Sequence, residues 1–369
     1  MDEFPQYVAA QLHCHSSIEG PASIGAHCYE AKRAGVDVVW LTDHDTRISL
    51  CIGGPFVDRF DFESPELLTS VERKAPGGRS VQRGVGWSIA RRDERLAKGL
   101  AALTREQCYR GTQSLCLEAV AVSADASLDQ VGQQSGGEWQ YLEVEFKAEG
   151  KIHSRPLLSD VTIGIAVRLE AVSSTDAEAW LDLLLSEQPP DLRSGRLRYT
   201  FTPPLALEDD SARYNTKIVP LTCPTGAWVR HELRPADEAA GDGLGGEDNA
   251  ITGVRLGVRV RSGGHVRLYV DDLTVTHQFS GDALHARQRA LARELAATHG
   301  VVCHVAQEIS QAGQHKNAWG EGVPLLDYLG QPSGFSHEEG VEWARRHNAV
   351  FSLNHPFSKY AKPEIDDVM

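Results

Sequence analysis

At 369 residues the chain is long enough for two domains. A net charge of −14 with no Lys/Arg block disfavours nucleic acid as a partner, since phosphate neutralisation needs cations. No apolar run approaches the ~20 residues of a membrane span, the start Met1-Asp2-Glu3-Phe4-Pro5 lacks a signal-peptide pattern, and seven scattered cysteines without C-x-x-C fit a reduced, cytoplasmic protein.

The first predicted strand, near Val8–His13, runs into His13-Cys14-His15. Cys14 alternates with its neighbours along an extended segment, so it belongs to the opposite face and to the core. A helix-like stretch, Ile24 to Ala34, is stopped by Gly35. A second strand, Val36–Thr42, leads to Thr42-Asp43-His44-Asp45. Strand, helix and strand in this order form the unit of parallel sheets.

Between about 110 and 278 the periodicity changes to two. Ser114–Val122, Tyr141–Ala148, Thr162–Val172, Leu197–Thr202, Trp228–Leu233, Gly253–Arg261 and His265–His277 all read as strands, and their spacing predicts an antiparallel β-sandwich. Asp176–Gln188 fits either a helix or a strand, because its apolar run is short. Residues Arg73 to Gly86 read as loop, and Pro235 to Asn249, with four glycines, as a mobile surface loop. Trp87, Trp139 and Trp228 are read as sandwich core rather than as platforms for sugars.

The parallel pattern then returns. A helix over Ala283–His299 ends at Gly300, the strand Val301–Val305 follows, and then Glu308. A capping box of Ser336 and Glu339 opens another helix, which leads to Ala349–Leu353 and Asn354-His355-Pro356. Each histidine or acid alone has a bland reading: a cap, a turn residue, a solvated strand end. Together they form four clusters, each just past an apolar run. Parallel strands end on one side, so the clusters should converge as the imidazoles and carboxylates of a divalent-metal site. The expected layout is a metal-binding domain over 1–58 and 279–369, interrupted by a sandwich insertion over 59–278.

His13-x-His15, Thr42-Asp43-His44, Gln307-Glu308-Ile309-Ser310, the Gly313 to Gly320 segment around His315, and Asn354-His355-Pro356 together resemble the PHP family, the polymerase and histidinol phosphatase metal-dependent hydrolases, in its carbaryl hydrolase-like branch. That resemblance implies an α/β fold, a distorted (β/α)7 TIM-like barrel. It implies two or three divalent metal ions (Zn, Mn or Fe) held by His13, His15, Asp43, His44, Glu308, His315 and His355. His13 and His15 would hold a first metal with Glu308, which bridges to a second held by His315 and His355, with His44 serving a third. Asp43, Glu308 and His355 take the catalytic roles, with Asp43 either a ligand or a partner that orients an imidazole. Glu19 is the nearest candidate for a further polar ligand usual after the first motif, and it stays outside the predicted set.

The activity implied is hydrolysis by metal-activated water, foremost of a phosphate ester, with another ester or an amide as further substrates. The family's final Asp-x-His motif is missing before Met369, so the barrel is expected to be incomplete, with reduced activity. Arg110 to Leu117 and Tyr269-Val270-Asp271-Asp272-Leu273 resemble the first and last strands of carbohydrate-binding-module-like jelly rolls, which implies a carbohydrate as partner of the insertion. The competing expectation is a non-catalytic, metal-stabilised module whose sandwich binds a glycan or a protein.

Overall fold

The computed structural model describes residues 8–44, 56–63, 73–74, 80–81, 85–122, 138–148, 155–173, 176–204, 214–240, 244–261, 263–279, 281–309, 315–326 and 337–354. Of the described residues, strands take 51% and helices 18%. This overturns the expected (β/α)7 barrel.

Two six-stranded sheets form the bulk. One has the order Trp228–Leu233, Val161–Val172, His265–His277, Ser114–Ala121, Leu96–Thr104, with Phe56–Phe60 also paired to His265–His277. The other runs Tyr214–Pro220, Arg193–Thr200, Ala177–Gln188, Ile251–Val260, Gln140–Ala148, Val85–Arg92. Pairing is antiparallel except between Arg193–Thr200 and Tyr214–Pro220. Alternate residues meet in one apolar core: Leu115, Leu117, Ile163, Ile165, Val167, Leu268 and Val270 face Leu142, Val144, Leu181, Leu183, Leu197, Leu256 and Val258. Each fully buried aliphatic side chain contributes ~1.5–3 kcal/mol, so this core dominates the fold. Asp176–Gln188, open to either reading in the sequence, is a strand over Ala177–Gln188 because both its neighbours supply ladders.

The outer face of the second sheet is charged, yet buried. Arg198 makes a two-armed ion pair with Asp182, both at 2.7 Å, and its guanidinium lies 4.2 Å from the Trp180 ring. Arg259 Nε stands 2.6 Å from Glu178 Oε2 and its guanidinium lies 4.3 Å from the Trp139 ring. Trp180 lies flat on Gly257, where a Cβ would come within 2.4 Å of the indole. Trp87 joins the inner core, while Trp139 is buried beneath arginine.

The second unit is small. Ala10–Cys14, Val38–Leu41 and Val302–Val305 form a three-stranded parallel sheet in that order. Helix Ile24–Ala34 is capped by Ser23, whose hydroxyl accepts from Ala26 N, and ends at Gly35 with φ of 72°. It packs with helix Gly281–His299 over one sheet face, through Ile24, Cys28, Val39, Leu41, Leu284, Leu291, Cys303 and Val305. Cys14 packs at the margin of this core, as its alternation predicts.

The fourth expected barrel strand does not join. Val350–Leu353 pairs antiparallel with Lys316–Trp319, which in turn pairs with Gln307–Ile309. A barrel strand is buried on both faces, whereas Val350 is 65% exposed. Periodicity identified the strand and could not name its partner. Among the described residues no further parallel strand extends the sheet.

The stretch Pro235–Asn249 is also corrected. Pro235–Ala239 is a short helix, and Asp248 and Asn249 are buried. Asp248 accepts from Gly25 N at 2.7 Å and, through its carbonyl, from Ser17 Oγ at 3.0 Å. With Glu187 N to Pro21 O at 2.8 Å and Arg155 N to Ile18 O at 2.7 Å, these bonds fasten the loop after the first strand to the sandwich.

Candidate metal centre

The parallel sheet puts three strand ends side by side. His13 is the last residue but one of the first strand and His15 follows that strand; Thr42, Asp43 and His44 follow the second. The chain leaves Val305 and re-enters pairing at Gln307–Ile309, where Glu308 bridges His44 in parallel and its N donates to Asp43 O at 2.9 Å. His315 arrives just before Lys316–Trp319 and accepts from Asn354 N through its carbonyl at 2.7 Å.

Glu308 is the centre. It is fully buried, and its Oε2 lies 3.7 Å from His13 Nε2, 3.4 Å from His15 Nε2 and 3.5 Å from His44 Nε2. Its Oε1 stands 2.7 Å from His315 Nδ1 and accepts from Asn354 Nδ2 at 3.1 Å. Burial pushes this carboxyl up, but hydrogen bonds from His315 and Asn354 and the charge of His44 outweigh it, leaving it at about 2. It is therefore an anion at neutral pH.

Glu308 Oε2 and His44 Nε2 are buried atoms with no hydrogen-bond partner. Such atoms are costly unless something else satisfies them. Two ligand atoms ~2.0–2.2 Å from one tetrahedral cation stand roughly 3.4 Å apart, which matches the spacing around Oε2. The donor set, imidazoles and carboxylates, suits Zn, Mn or Fe. Three groups have their ligand atoms within 4.8 Å of one another: His13, His15 and Glu308; His15, Glu19 and His44; His44, Glu308 and His315. The residues present fit a divalent cation. The histidine side chains of His13, His15 and His315 are 24–31% exposed, so the cluster opens to solvent on one side.

Five predicted ligands thus come together: His13, His15, His44, Glu308 and His315. Asp43 does not join them. Its carboxylate accepts from Ser16 N at 2.7 Å, Ser16 Oγ at 2.6 Å and Gln288 Nε2, the last from helix Gly281–His299. Full burial and the neighbouring Glu19 charge push it up to about 6. Asp43 braces the loops beneath the cluster. His355 lies outside the described residues, as does Asp45.

Sequence reasoning undervalued Glu19. A turn, with Glu19 N and Gly20 N both donating to Ser16 O, folds its carboxylate back under His15 and His44. The spacing of four from His15 was the available signal. Asn317 and Gln288, which contact His13 and Asp43, gave none. His304 stacks on Trp40 at 4.4 Å and takes no part.

No family model and no curated protein matches the chain in sequence. Among solved structures it is similar to the endoglucanase Cel12A from Rhodothermus marinus, at 13% identity and a TM-score of 0.32, covering 52% of this chain and 99% of that one. The family 11 carbohydrate-binding module from Clostridium thermocellum is similar at 9% identity and a TM-score of 0.26, covering 52% and 96%. A carbohydrate-binding module of the β-sandwich superfamily is similar at 10% and 0.25, covering 59% and 73%.

These findings correct the PHP assignment. No such family matches, the β-sandwich predominates, and the barrel on which the phosphoesterase expectation rested is absent among the described residues. The motifs that suggested it are short segments around a metal-like cluster, and such clusters recur on unrelated folds. No helix among the described residues is long and apolar enough to cross a membrane.

Proposed function

We propose that this protein is a divalent-metal-dependent hydrolase acting on an acyl ester or amide. The observation that carries the reading is the buried Glu308 carboxylate, with an unpartnered oxygen ringed by three imidazole nitrogens at 3.4–3.7 Å. His13, His15 and His44 with Glu308 would hold the cation or cations, and His315, 2.7 Å from the other Glu308 oxygen, would orient that carboxylate. A bound divalent cation supplies Lewis acidity, drawing the pKa of a water toward ~7 and polarising an acyl oxygen. The chain's own part is to orient. Thr42 Oγ1 lies 2.6 Å from His13 Nδ1, and Asn354 bridges Glu308 and Asn317 through one amide, at 3.1 and 2.7 Å. These contacts fix the ring and carboxylate before any ligand arrives.

A carbohydrate is the partner we assign to the sandwich. A groove of about 500 Å³ along the edge strand, lined by Asn215, Thr216, Lys217, Ile218 and Leu244, offers amide, hydroxyl and ammonium groups beside apolar surface. That mixture suits a sugar better than an apolar ligand.

The test is reconstitution with Zn²⁺, Mn²⁺ or Fe²⁺, elemental analysis, and turnover of an aryl acetate and of an acetylated oligosaccharide. Metal-dependent release of acetate is expected, falling by at least 100-fold in Glu308→Gln and His315→Ala. Absence of bound metal after reconstitution would end the hydrolase reading. Retention of unacetylated β-glucan on a gel without turnover would leave a glycan-binding module instead.

A further inference from the structure

The same cluster contains a second carboxylate whose spacing differs from that of Glu308. His44 Nδ1 lies 2.7 Å from Glu19 Oε1, and His15 Nδ1 lies 2.9 Å from the same oxygen, off the ideal donor line. His44 N donates to Glu19 Oε2 at 2.7 Å. The opposite nitrogens of both rings, Nε2, face Glu308 at 3.4 and 3.5 Å. The two rings are stacked, 4.9 Å apart and 7° from parallel. Each imidazole therefore spans from one carboxylate to the other.

The two separations mean different things. Roughly 3.4 Å between two donor atoms leaves room for a cation bound to both, whereas 2.7–2.9 Å is the length of a hydrogen bond. We propose that Glu19 is a positioning residue shared by two imidazoles: it takes the Nδ1–H of His15 and of His44 and so aims both Nε2 atoms at Glu308. This rests on the metal reading of the cluster. It assigns the His15, Glu19 and His44 group no cation of its own.

Two observations support it. The Glu19 side chain is 7% exposed and uses both oxygens inside the cluster, Oε1 facing Nδ1 of His15 and of His44 and Oε2 accepting from His44 N. Its contact to the His44 backbone also ties the loop after the first strand to the loop after the second, so both rings move as one piece. A partner that fixes tautomer and ring angle contributes about 10–100-fold to metal affinity without touching the ion.

The experiment compares wild type, Glu19→Gln and Glu19→Ala. Three readouts are used: bound metal by elemental analysis, the Co²⁺ absorption spectrum, and ¹⁵N chemical shifts of the histidine rings in the metal-free protein. Unchanged melting of Glu19→Gln serves as the folding control. The metal-free wild type should show both rings protonated at Nδ1, and Glu19→Ala should show mixed tautomers. Affinity should fall about 10–100-fold in Glu19→Ala at unchanged stoichiometry, and Glu19→Gln, which keeps an accepting oxygen, should recover part of it. Loss of one metal equivalent and of a Co²⁺ band in Glu19→Gln would make Glu19 a ligand and overturn the proposal. So would unchanged tautomers in Glu19→Ala. A wild type that binds no metal would defeat the hydrolase reading, while the ring shifts would still decide the role of Glu19.

Discussion

Of the two roles open to Asp43 in the sequence, ligand or supporting partner, its contacts favour the second. Its neighbour His44 reaches the cluster, but Asp43 points away, into a pocket formed by Ser16 and Gln288. An extended segment sends successive side chains to opposite sides, so an Asp-His pair cannot offer both to one ion without a twist. The Asp43→Ala variant would leave two donors of Ser16 and one of Gln288 buried without an acceptor. Each such loss costs about 1–3 kcal/mol. We expect a lowered melting temperature together with weaker metal binding, because His44 loses its support. Asp43→Asn, which retains one accepting oxygen, should lose less. Equal metal affinity in Asp43→Ala and wild type would show that Asp43 does not brace the site.

At the scale of elements, local signals were read well and partnership poorly. Gly35 marks the end of helix Ile24–Ala34 in the sequence, and Ser23 and Gly35 cap it in the structure. Period-two alternation marks seven of the sandwich strands, because one face of each meets the core, but not Phe56–Phe60, Val85–Arg92, Leu96–Thr104 or Tyr214–Pro220. Val350–Leu353 reads as a strand in the sequence but pairs outside the parallel sheet, since pairing depends on a chain reversal that periodicity does not encode. The long helix Gly281–His299 carries a feature no pattern revealed. His285, on its packed side, is buried, and burial followed by the charge of Arg289 pushes its pKa down to about 3. The unfolded chain takes up a proton near pH 6.5, while the folded one resists until about pH 3. The contribution of His285 is thus fully present above pH 6.5 and is lost as pH falls from there toward 3, by about 1.36 kcal/mol per pH unit. Denaturant melts of wild type and His285→Gln between pH 7 and 5 should diverge, with the variant less sensitive to acid. Parallel pH profiles would show that His285 is not the sensitive group.

For the whole molecule, the cluster was legible because its residues lie at the ends of apolar runs, and the fold around it was not. The same local unit, parallel strands with helices on one face, builds a closed barrel or a three-stranded sheet docked against a sandwich. What decides is the number of strands that follow, a property of the entire chain. Here the apolar burial is split. Leu181 belongs to the sandwich core, and Leu291 to the core of the parallel unit. The contacts that join the units are hydrogen bonds through Pro21, Glu187, Gly25 and Asp248 and the packing of Leu157 and Ala250 into the smaller core. Such a joint couples two cores weakly, so we expect two thermal transitions in calorimetry. Leu291→Ala should lower the first by an amount equivalent to ~2–5 kcal/mol and leave the second in place, with Leu181→Ala doing the reverse. Every metal-site residue lies in the smaller unit or in the sheet beside it. Saturating Zn²⁺ should therefore raise the first transition by mass action, by about 2.7 kcal/mol at a free concentration 100 times Kd, and leave the sandwich transition unmoved. A single transition shifted alike by both leucine variants and by metal would mean that sandwich and parallel unit fold as one body.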